Sequence, residues 1–143
     1  MREPAYSALH LRVSFAVWVM SIALVGLPDS CTSLEAGVVI TEIHYRPLSD
    51  GALEWIEIGN DSQKPIDVSG YAFVQGVDFV FPAGTILGGR SFLVVARDVD
   101  AFGARHDVDR DLVLGNFSGR LDNDGDRVTL VNHAGIVVES LRY

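Results

Sequence analysis

Cysteine is almost missing from these 143 residues, and the single copy, Cys31, excludes an internal disulfide. It lies ahead of the expected end of a leader segment, so the folded part should hold no thiol. That excludes thiol catalysis and cysteine-bound zinc. Positive charge is scarce as well, with 11 Lys and Arg against 19 Asp and Glu and a net charge of −8. Taking away Arg2, Arg12, Glu3, Asp29 and Glu35 with residues 1–36 leaves 11 − 2 = 9 basic against 19 − 3 = 16 acidic side chains, a net charge of −7. Such a surface repels phosphate backbones and anionic headgroups, so no nucleic-acid partner is expected. No apolar run reaches the roughly 20 residues of a spanning helix. No Gly-x-Ser-x-Gly elbow and no His-x-x-x-His pair occurs, and Gly88-Gly89-Arg90 precedes a strand rather than the helix a phosphate loop requires.

What is there begins with a charged head carrying Arg2 and Arg12, then the apolar run VSFAVWVMSIALVGL, then PDSCTSLEA ending in a small residue. This is the layout of a secretory signal over residues 1–36, with cleavage after Ala36 and an uncleaved anchor as the alternative. A membrane contact is expected only in that second case. Pro28 and Asp29 stop the run, and Pro28 occupies the position where a lipoprotein signal places leucine before its cysteine. Cleavage leaves 143 − 36 = 107 residues, 37–143, enough for one core without staples. The expected location is secreted or at the cell envelope.

Past that point short apolar runs alternate with Gly, Asn and Asp turns, the spacing of an all-β sandwich. The runs fall at 38–45, 53–58, 66–68, 71–74, 78–81, 91–96, 111–114, 127–131 and 136–143. Because side chains alternate across a strand, Ile56 and Ile58 share one face and Trp55 and Glu57 the other. Over 91–96 both faces are apolar, which predicts a central strand covered on both sides. The aspartate-rich stretch 97–110 reads as a long loop with a helical turn around Val99 to Phe102.

The order VVITEIHYRP, LEWIEIGN, IDVSGYAF, DFVFPAGTIL, FLVVARD, GRLDNDGDRVTLVN and GIVVESLRY resembles the lamin tail domain, in its bacterial exported form, from about Val38 to Tyr143. The resemblance implies an immunoglobulin-like β-sandwich and a non-catalytic interaction module, binding or scaffolding at the envelope or outside the cell. Its implied partner is a protein or polysaccharide. It also implies, as alternatives, an accessory domain of a secreted hydrolase or of a spore-coat-like kinase system. No second domain is expected within these residues, so the chain reads as the module standing alone or as a fragment of a longer protein. Gly59 departs from the family, which usually carries a larger residue before the Asn, and is expected to weaken that strand end.

Three residues are candidates for acid–base chemistry. Glu42 and His44 fall on one face of the first run, and Glu57 comes from the neighbouring one, so carboxylates and an imidazole can share a proton. A small enzyme built on this trio is the third functional alternative, but hydrogen-bonded strand residues explain the same pattern and no enzyme is expected. Asp107, Asp109 and Asp111 alternate on the long loop and are the better calcium candidates; Asp122, Asp124 and Asp126 belong to a turn. Neither run completes an EF-hand, since Leu112 and Arg127 stand where its glycine belongs, and no cofactor is expected. His106 and His133 should be exposed loop residues. Tyr45, Trp55 and Tyr71 offer an aromatic contact surface, with core packing the preferred reading for Tyr45 and Tyr71.

Overall fold

A computed structural model describes residues 11–12, 37–47 and 51–143. The rest of the expected leader and its cleavage point lie outside the described residues. In chain order the elements are β1 (Leu11–Arg12), β2 (Val38–His44), β3 (Trp55–Asn60), β4 (Ile66–Asp67), β5 (Ala72–Gln75), β6 (Val77–Val80), β7 (Ile86–Leu87), β8 (Phe92–Ala96), α1 (Val99–Arg105), β9 (Val113–Gly115), β10 (Ser118–Gly119), β11 (Arg127–Val131) and β12 (Val137–Arg142). Among the described residues they form one sheet ordered β1-β2-β3-β8-β9, a second ordered β10-β6-β5-β11-β12, and a two-stranded ribbon of β4 and β7.

Period-two patterning builds the interior. Ile56 and Ile58 of β3 and Leu93 and Val95 of β8 face Phe73, Val128 and Leu130 of the second sheet, while Phe81 and Leu121 fill the space between from loops. Each such side chain contributes about 1.5–3 kcal/mol when fully buried. β2 achieves the same with a break in its period. Ile40 pairs with Ile58 but Glu42 with Glu57, so the register shifts at Thr41. This bulge lets Ile40 and Ile43, three apart, both enter the core, and it leaves Glu42 and His44 on the outer face.

The two sheets are also tied at one seam. β12 runs past β2, and the carboxylate of Glu139 accepts a hydrogen bond from the Ile40 backbone N–H. Glu139 shares the inner face of β12, being paired with core residue Leu130. Burial raises its pKa, and the Ile40 bond opposes that rise. The rings of Tyr45 and Tyr143 meet nearby at 4.6 Å.

The long loop holds more helix than expected. α1 has seven residues, and its Asp98 cap accepts hydrogen bonds from the Asp100 and Ala101 N–H groups. It buries Phe102 against the outer face of the first sheet, where Trp55, Val94, Ala96 and Val113 form a second apolar cluster. This gives β8 the two covered faces its composition predicts. β7 and β10, two residues each, carry no run long enough to read from sequence, and β1 falls within the charged head of the expected leader.

Candidate functional site

The pairing register sorts the outer face of the first sheet into rows. His44 lies opposite Trp55, and Trp55 opposite Ala96; Glu42 lies opposite Glu57, and Glu57 opposite Val94; Val39 lies opposite Gly59, and Gly59 opposite Phe92. The first row is closed. Trp55 stacks on His44 at 5.4 Å and 9° between planes, meets Phe102 edge-on at 6.0 Å, and meets His106 edge-on at 6.4 Å. His106 caps the end of α1 and stacks on Phe102 at 4.5 Å, so it is half-buried rather than exposed as expected. His133 is exposed. Trp55 is core, not contact surface, and Tyr45 and Tyr71 pack against the main core.

Glu42, His44 and Glu57 share this outer face, with Glu42 opposite Glu57 in one row and His44 in the next row against Trp55. Glu42 and His44 are 8% and 6% exposed, which leaves Glu57 as the member that reaches solvent. Two carboxylates directly opposite each other repel, and the Thr41 hydroxyl relieves this by donating to Glu57 Oε1 at 2.6 Å. Glu57 Oε2 has no donor among the described residues.

Beside Glu57 a groove of about 280 Å³ opens along Val39, Thr41, Gly59 and Phe92 toward Arg90. It touches neither Glu42 nor His44. Gly59 makes it: a Cβ there would stand 2.8 Å from Thr41 Cγ2 and occupy the floor. Gly59 is nevertheless paired on both sides, and Asn60 continues the ladder to Val38.

The aspartates are used locally. Asp109 caps a 3-10 turn over Arg110–Leu112 and accepts from the Asp111 N–H, while Asp107 is exposed. Asp122 accepts from the Asp124 N–H, and Asp126 from the Arg127 N–H. Among the described residues no three Asp, Glu, His or Cys side chains converge as a metal site would require.

Sequence reading missed Glu54, which sits just before β3 and is 1% exposed. Its Oε2 accepts from the Leu121 N–H at 3.1 Å and lies 3.5 Å from Arg97 Nη1; its Oε1 lies 3.6 Å from Arg120 Nε, beyond hydrogen-bond reach. Burial raises its pKa, and the Leu121 N–H and both guanidinium groups only partly offset it. An acidic residue at a strand start carries no sequence mark of this role. Its partners come from Arg97, just after β8, and from the turn before β11. The carboxylate pins that turn, so its role is architectural.

No curated protein matches this chain. The family model described as Lamin Tail Domain matches residues 32–143, which covers β2 through β12, the α1-covered face and the groove. By that match, and by a two-sheet all-β architecture with one short helix, the chain belongs to the lamin tail domain family, whose fold is an immunoglobulin-like, non-enzymatic interaction module.

Proposed function

We propose that this domain binds a protein partner at the cell envelope or outside the cell. The observation that carries the reading is an apolar row across the outer face of the second sheet. Val80 pairs with Ala72, Ala72 with Val131, and Val131 with Val137 across four adjacent strands, with register shifts on either side of Leu130. Their inward neighbours Phe73 and Leu130 are buried, so this row lies on the outer face; Val131 at its middle is covered, while Val80 and Val137 at its two ends, and Val74 beside Ala72, are each more than half exposed. Exposed apolar patches of this kind mark contact surfaces. Export rests on the charged head, apolar run and small residue of positions 1–36. The acidic balance supports a polypeptide rather than a nucleic acid.

The test is recovery of the tagged full chain from fractionated cells after mild crosslinking, with mass spectrometry of what is bound and of the chain's own N-terminus. The expected result is one reproducible envelope partner and a chain beginning near Gly37. A free monomer alone in the medium would overturn the reading.

A further inference from the structure

We propose that the Gly59 groove receives one lysine or arginine side chain from an extended segment of a partner polypeptide, an inference that rests on the interaction-module reading and gives it a chemical address. Three observations converge on this occupant. Glu57 is a half-buried carboxylate whose Oε2 has no protein donor among the described residues, while Oε1 is satisfied by Thr41. Of the charged residues that line the groove, Glu57 and Asp61 outnumber Arg90, so the lining carries a net charge of −1. Next along the strands comes an apolar row, Val39, Gly59 and Phe92, with the Phe92 ring 40% exposed.

The spacing suits a long cationic side chain. Adjacent rows on one face are two residues, about 7 Å, apart. An aliphatic stem can lie on Gly59 and Phe92 while its charged head reaches Glu57. Lysine and arginine bury their stems on apolar surface in this way and keep the head at a polar partner. Phe92 adds an aromatic edge or face to the stem. A neutral donor would satisfy Oε2 but would leave the charge of Glu57 unmatched. A bound metal ion fits poorly, because hard cations want several oxygens and Thr41 already spends its hydroxyl proton on this carboxylate. Arg90, two residues before Phe92, and Asp61 line the other end of the groove with opposite charges. Glu57 is the carboxylate that stands without an opposite charge in the lining. The acidic chain as a whole steers basic segments toward the surface.

The experiment uses the full chain and two fluorescent peptides of Gly, Ser and Ala that differ only at one central residue, lysine in one and norleucine in the other. Anisotropy should show the lysine peptide binding about tenfold more tightly, the size of one charge-assisted hydrogen bond. Glu57→Gln should bring the lysine peptide to the norleucine value, and Phe92→Ser should weaken both. On the unmodified protein, amide resonances of Thr41, Gly59 and Phe92 should shift with the lysine peptide, which locates the site even if a variant fails to fold. Equal binding of the two peptides, or no binding of either at about 1 mM, overturns the groove. So do resonance shifts confined to another face. Failure of the groove and failure of the wider reading separate cleanly. If a crosslinked envelope partner is recovered equally by wild type and Glu57→Gln, the groove falls and the module stands. If the lysine peptide binds here yet no partner is recovered from cells, the groove stands and the module reading falls.

Discussion

Glu54 supplies the sharpest test of the energetics. Truncation to alanine removes the acceptor of the Leu121 N–H at a buried position, a loss of about 1–3 kcal/mol for the orphaned donor. One buried methylene adds about 0.8 kcal/mol. Glu54→Ala should therefore cost about 2–4 kcal/mol, roughly 10 °C in melting temperature for a domain of this size. Glutamine keeps both the shape and the acceptor. It gives up the attraction of Arg97 and Arg120, but those guanidinium groups stay solvated, and it avoids desolvating a charge. Glu54→Gln should fall within about 1 kcal/mol of wild type at neutral pH. The pH dependence fixes the sign. The folded pKa of Glu54 is raised above its ordinary 4.5 by burial, so its contribution is fully present below that value and lost as pH rises through the folded value. Glutamine does not titrate, so Glu54→Gln should gain on wild type as pH rises from the ordinary carboxylate value through the raised folded value. Urea unfolding of the three proteins, followed by circular dichroism at several pH values, measures all of this. If glutamine costs as much as alanine at neutral pH, or loses ground as pH rises, the ion pairs are net stabilising and the reasoning is wrong.

The remaining expectations concern other elements. Phe102→Ala should destabilise by about 3 kcal/mol and abolish the near-ultraviolet signal of Trp55, because it empties the cluster beneath α1; an unchanged spectrum would refute that packing. Asp98→Ala should cost about 1 kcal/mol through loss of two N–H partners at the helix start, measured by thermal melt. Glu139→Val removes a charge facing inward from an edge strand that begins beside exposed Ile136 and Val137, and should raise self-association in sedimentation runs. Calcium should leave the melting temperature where chelator leaves it, since Asp107, Asp109 and Asp111 do not converge; an upward shift would restore the calcium candidate.

Sequence was most informative where one rule governs a residue. Ile56, Ile58, Leu93 and Val95 alternate, so their inward faces can be read by counting in twos. The common face of Glu42, His44 and Glu57 was legible for the same reason, because the bulge at Thr41 lies ahead of all three in pairing order. That bulge itself was hidden: burying both Ile40 and Ile43 breaks the period, and only the partner strand reveals the shift. α1 was half visible, because an aspartate cap precedes it but a single buried Phe102 leaves no periodic stripe. Glu54 and the groove were invisible for a deeper reason. The first depends on Arg97, Arg120 and Leu121 arriving from remote parts of the chain. The second depends on a side chain that Gly59 does not have, and its consequence appears only when Thr41 and Phe92 are brought beside it.

The seam between β2 and β12 bears on how the domain comes into being. Ile40 is among the first residues of the sandwich to be synthesised, and the carboxylate that satisfies its N–H is 99 positions later. Tyr143, whose ring meets that of Tyr45 at a tilt, follows later still. A nascent chain can zip β2 to β3 and then add β8, yet the flank of β2 around Ile40, beyond the two residues that pair with β1, stays bare until the ribosome has delivered β12. Closing so distant a contact costs loop entropy before any contact rewards it. The half-made domain thus has a long window in which that bare flank invites other strands, and the speed with which β12 arrives governs yield as well as shape.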